Sequence, residues 1–219
     1  MRFFSADNRL WQMIFLLTDI ILLGILWILL TLTVVGFGPA STALYYAIAK
    51  SIRRERGRPF YEFFQALKEN WWKSMFAGLI LALLMMGLMA LDYPVLMEPV
   101  ISGTVSDGLD MFWAVLRVTL LLTVSMHLFP VLSRFQVTMP KAWLLSVLLA
   151  LRHLGKTLVL SLVFLILFVA TIFFPVLTLF APGLFTYFQS FREERILKQY
   201  IEDAGIDISD ADDPWYMES

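Results

Sequence analysis

Residues 33–73 read TVVGFGPASTALYYAIAKSIRRERGRPFYEFFQALKENWWK. An apolar run ends at Gly36-Phe37-Gly38-Pro39. A stretch of small residues follows, then a basic cluster from Lys50 to Arg58, then an aromatic helix leading into a second apolar run. Gly36, Gly38 and Pro39 break the first helix, because proline suits only the first turn of the next one. Ser41 and Thr42, with Ala40 and Ala43, keep the following helix slim enough for close packing inside a bundle.

The composition agrees with a membrane location. The 219 residues are 59% hydrophobic and 16% charged, whereas soluble domains are about 45–50% apolar and about 25% charged. The net charge of -1 conceals segregation. Lys and Arg gather in the connectors 50–73 and 134–156 and after residue 191; acidic residues gather in 92–110 and in the tail. A crossing helix needs about 20 mostly apolar residues. Regions 12–35, 74–91, 111–133 and 157–191 qualify, and Pro175 with Pro182-Gly183 divides the last into two. The fold expected is an all-α, polytopic transmembrane helical bundle of five or six membrane helices with cytoplasmic interfacial amphipathic helices. Residues 1–200 form one helical membrane domain and 201–219 an acidic, flexible tail.

Basic connectors stay on the cytoplasmic side. That places 50–73, 134–156 and the C-terminus in the cytoplasm and the acidic loop outside. The first run reads as a retained span rather than a leader, since Pro39 spoils the cleavage context. The side of the N-terminus depends on whether residues 39–54 cross; six helices with both ends inside is the preferred arrangement. Residues 66–74 and 150–157 resemble one another, each after a proline-led segment (Pro59, Pro140), which suggests a parallel internal repeat.

Candidate chemistry is sparse. Phe60, Phe63, Phe64, Leu67 and Trp71 recur at helical spacing and, with Asn70 and Trp72, form an interfacial or partner-binding face, with Glu62 pointing away. Asp19, Arg117 and His127 are the intramembrane polar candidates. An ionisable group in hydrocarbon needs a partner, and Asp19 could meet Arg117 at similar depth if the N-terminus lay outside. Two isolated histidines make no metal site, and there is no cysteine. No catalytic motif is present, so no catalytic residue, metal or cofactor is expected. The basic run beside a span meets anionic lipid rather than nucleic acid.

Asp19, the run Leu26 to Leu30, Val34-Val35-Gly36 and Gly38 to Tyr46 resemble the YesL-like bacterial integral membrane proteins. Phe63-Phe64, Leu67-Lys68, Asn70 to Lys73 and Leu151-Arg152-His153 extend the likeness to about Tyr200. Departures are Thr33, where the family often has proline, and Gly24, where it often has asparagine. The family has no agreed activity and no assigned catalytic residues. The resemblance implies a multi-pass protein of the bacterial plasma membrane, encoded near carbohydrate importers of the ATP-binding-cassette type. The expected function is therefore a non-enzymatic accessory or assembly partner of such an importer, touching its membrane subunits through 59–73 and 140–156. The alternative is a small independent secondary transporter using Asp19 and Arg117.

Overall fold

The computed structural model describes residues 9–55, 57–102, 108–135 and 137–203. Among them are eight α-helices and no strand: α1 (Arg9–Thr31), α2 (Phe37–Ala47), α3 (Pro59–Glu69), α4 (Trp71–Ser102), α5 (Gly108–Arg134), α6 (Met139–Arg152), α7 (Leu154–Phe173) and α8 (Leu177–Asp203). Four segments are long and apolar enough to cross a membrane: Met13–Thr31, Trp71–Val95, Gly108–Arg134 and Leu154–Phe173. The chain is an all-α helical bundle with the character of a membrane protein. The long apolar run at 157–191 does divide, between Phe173 and Leu177, because the chain reaches Pro175 there and proline cannot continue a helix. The tail beyond Asp203 lies outside the described residues.

α2 is the hub. It packs against α1, α3, α4, α5 and α8, and Gly38, Pro39, Ala40, Thr42 to Tyr45 and Ala47 are buried. Small side chains permit this. A Cβ on Gly38 would run into the Ser74 carbonyl of α4, and one on Gly78 would meet the Gly38 backbone at 2.7 Å. A Cβ on Gly183 of α8 would run into the Ile20 carbonyl of α1, and one on Gly24 of α1 would lie 3.3 Å from the Gly183 backbone. Gly36 is buried at the end of the 3-10 turn Val34–Gly36, where a side chain would strike the Leu30 carbonyl. Ser41 donates to the Phe37 carbonyl and accepts from Trp27 Nε1 at 3.0 Å. Thr42 donates to the Gly38 carbonyl. The small residues let α2 approach its neighbours closely, and the break after α1 lies before them, at residues 32–36.

α2 continues into a π-helical turn, Ile48–Ile52, closed by Arg53 N–H to the Ile48 carbonyl. Such a turn inserts one residue per cycle and re-aims the residues after it. Arg53 and Arg54 consequently fold onto α8: Arg53 donates to the Ser190 carbonyl at 3.0 Å and lies 4.9 Å from the Phe191 ring centre. Lys50 pairs with Glu62 at 3.0 Å. These side chains bind protein, where the sequence alone suggested that the basic run meets anionic lipid.

Two expectations need correction. α3 buries Glu62, Phe63 and Ala66, with Asn70 just after them, while Phe60 and Phe64 are exposed. The aromatic face therefore splits: Phe63 goes inward, Leu67 and Trp71 are half-buried, and Trp72 points out. The cause is that α3 lies against α2 and the π-turn after it, where Lys50 compensates Glu62 and draws it inward. The acidic loop also starts later than residue 92. α4 runs on to Ser102, so Asp92 is a helical residue and fully buried.

The internal resemblance has a structural counterpart. α3 begins at Pro59 and α6 one residue before Pro140, each after an extended residue, Arg58 or Thr138. Each ends at one non-helical residue, Asn70 or His153, from which a long apolar helix starts.

Candidate functional site: a buried polar core on α8

Pro130 lies inside α5. Proline has no N–H, so the carbonyl four residues earlier, Met126, loses its helical donor. The Gln189 side chain of α8 fills that vacancy, donating to the Met126 carbonyl at 2.6 Å. This contact fixes α8 against α5 and aligns the next two residues of interest, Glu193 and Glu194, which are 1% and 4% exposed. Neighbours on a helix point about 100° apart, so the two carboxylates serve different partners.

Glu193 faces α5 and α7. His127 Nδ1 lies 2.9 Å from Glu193 Oε2, and His127 Nε2 lies 3.1 Å from Thr157 Oγ1. The Thr157 hydroxyl lies within hydrogen-bonding distance of both the His153 carbonyl and Nε2. A proton must occupy the Nδ1–Oε2 contact, because two lone pairs would repel at that separation. Glu193 lies beyond the apolar half of α8; burial pushes its carboxyl above the usual range, and His127 pulls the other way. One turn deeper, Thr123 and Ser161 approach within 3.3 Å.

Glu194 faces α2 and the end of α5. The Tyr45 hydroxyl donates to Oε1 at 2.8 Å. Oε2 pairs with Arg134, and Arg54 lies 3.8 Å away. Four parts of the chain therefore converge on two adjacent residues: α2, the segment after its π-turn, α5 and α7. Beside them is a hollow lined by Arg134, Phe135, Glu194, Leu197, Lys198 and Ile201, with a volume of about 10 Å³. That is room for about one water, whereas small-molecule sites span roughly 300–1,000 Å³. No group of three metal-ligating side chains occurs among the described residues.

The other intramembrane candidates are placed elsewhere. Arg117 pairs with Asp92 of α4, so it does not meet Asp19. Asp19 is half-buried on α1 and has no hydrogen bond or ion pair among the described residues. His127 alone of the three joins the polar core. Sequence reading missed Tyr45, Arg54, Arg134, Thr157, Gln189, Glu193 and Glu194. Glu193 and Glu194 sit between Arg192 and Arg195 and read as a solvated helix end. The one available signal was Pro130, which demands a donor for Met126.

No curated protein and no solved structure matches the chain. Residues 20–93, which run from the C-terminal half of α1 through α2 and α3 to Tyr93 of α4 and include Tyr45, Arg54 and Asp92, match the model of a family described as "Protein of unknown function, DUF624".

Proposed function

We propose that the chain is a YesL-like protein of the bacterial plasma membrane that serves as a non-enzymatic accessory or assembly partner of a carbohydrate importer of the ATP-binding-cassette type. The observation that carries this reading is a pair of outward-facing apolar strips on the two short helices. α3 exposes Phe60, Tyr61 and Phe64, and α6 exposes Leu144, Leu148 and Leu151 at helical spacing. Both helices are anchored by their opposite faces, α3 on α2 and α6 on α5, which leaves the strips free to bind. In this reading they lie on the cytoplasmic side with the basic connectors and touch the importer's membrane subunits.

Two features support a scaffold over a transporter or an enzyme. The polar core is closed by its own hydrogen bonds, and the hollow beside it has room for only about one water. Asp19 and Arg117, the pair on which an independent transporter would depend, are not in contact, since Arg117 is held by Asp92. The test is photo-crosslinking in native membranes with the probe at Tyr61 and at Leu148, followed by affinity isolation in mild detergent. Adducts with importer subunits from both positions are expected. Adducts with lipid alone would refute the reading and make the strips membrane-surface anchors.

A further inference from the structure

Asp19 stands apart from the four acidic groups that are buried among the described residues. Asp92 is paired with Arg117, Glu193 with His127, Glu194 with Arg134, and Glu62 with Lys50. Asp19 has no such partner among the described residues, although it lies in the span Met13–Thr31, whose mean hydropathy is 2.7. At 1.5 Å per residue it sits about 9 Å inside the Met13 end. The adjacent hydroxyl does not serve it, because Thr18 donates to the Ile14 carbonyl at 2.8 Å. Asp19 lies at the margin of the α1 contact with the bundle. On the inner side are Leu16 and Leu23, packed in the core, and on the outer side are Phe15, 60% exposed, and Leu22, 41% exposed. Leu29 continues the outer strip.

An ionisable side chain at that depth is expensive unless it is matched. Nothing in the chain's described residues matches it, and its flank is an apolar strip of the kind that a helix covers. We infer that α1 is the docking face for a transmembrane helix of another protein, and that this helix carries a lysine or arginine about one third of the way through its span. The charge selects the occupant: a second copy of α1 would bring another carboxylate to Asp19, whereas a basic helix would neutralise it. Side chains of the Phe15–Leu22–Leu29 strip would supply packing, and the ion pair would supply register, the use of a buried charge pair that is best attested. This inference stands apart from the α3 and α6 strips, and either can fail without the other.

The experiment uses the full chain reconstituted in phosphatidylcholine vesicles, with a donor fluorophore on a cysteine introduced in α3. The probe is a polyleucine transmembrane peptide with one lysine placed a third of the way along, carrying the acceptor. Controls are the same peptide with leucine at that place, and with the lysine moved to the centre. Energy transfer should show the lysine peptide associating at least about tenfold more tightly than the leucine peptide. Asp19→Leu should abolish the difference, and Asp19→Glu should retain it. Size-exclusion behaviour of Asp19→Leu confirms that it folds; if it does not, the comparison between peptides on the unaltered chain decides. Equal binding of lysine and leucine peptides would overturn the inference. So would self-association of the chain, measured with donor- and acceptor-labelled copies, that is lost in Asp19→Leu, since the strip would then belong to a second copy.

Discussion

Glu194→Ala is the most informative single perturbation. The carboxylate accepts from Tyr45 and pairs with Arg134, and the side chains of Glu194 and Arg134 are 3% and 4% exposed. Removing one member of a buried charge pair costs about 3–5 kcal/mol. Arg54, at 3.8 Å with 15% exposure, recovers some solvation by turning outward, so the lower end of that range is the better expectation. For a chain of this size each kcal/mol moves the midpoint by about 2–4 °C, so a loss near 3 kcal/mol lowers it by roughly 6–12 °C. The assay is thermal unfolding in a single detergent, checked by titration with a denaturing detergent. The double variant Glu194→Leu with Arg134→Met removes both charges and should recover most of the loss. A single-variant loss below about 1 kcal/mol, or additive losses in the double variant, would refute the claim that α2, α5 and α8 are joined through this carboxylate.

Two further substitutions test the packing logic. Gln189→Leu leaves the Met126 carbonyl without a donor and should cost about 1–3 kcal/mol; adding Pro130→Ala supplies the missing N–H and should restore much of it, whereas a double variant no more stable than Gln189→Leu would show that proline is not the reason for the glutamine. Gly38→Ala drives a methyl group into the Ser74 carbonyl and should cost about 1–3 kcal/mol by overpacking, read as a lower unfolding midpoint, whereas an unchanged midpoint would mean that α2 and α4 are not in close contact.

How much was legible in the sequence depends on the range of each signal. Span positions depend on local hydropathy, so α1, α4, α5 and α7 fall where the apolar runs lie, and the break near Pro175 falls where a missing N–H requires one. Packing glycines were also legible, because Gly38 has no use in a helix except to let another backbone approach. The faces of short helices were not. Periodicity marked Phe60, Phe63, Phe64 and Leu67 as one stripe, but a short helix packed on a bundle by one side can place aromatic side chains on its inner or its outer side. Lys50 on the preceding segment decided which face turned inward, by pairing with Glu62. The polar core was hidden for a related reason: Glu193 and Glu194 have charged neighbours in sequence, while their partners lie about 60 to 150 residues away.

The distribution of paired charges explains why a bundle so rich in interchangeable apolar surface adopts one arrangement. Between helices in lipid the hydrophobic effect gives little preference, since acyl chains are as apolar as leucine, and association depends on close packing and polar contacts. Here the polar contacts each join different elements: Asp92 with Arg117 ties α4 to α5, and His127 ties α5 to α8 through Glu193 and to α7 through Thr157. Lys50 with Glu62 ties the π-turn to α3, and Glu194 ties α8 to both α2 and α5. Glycine contacts add α2 to α4 and α1 to α8. α1 is held by packing and by the Trp27–Ser41 bond, and its one acidic group is turned to the margin. A bundle that compensates internally the four buried carboxylates among its described residues, Glu62, Asp92, Glu193 and Glu194, yet leaves Asp19 at an open edge, has its remaining specificity directed outward, at the helix that would cover α1.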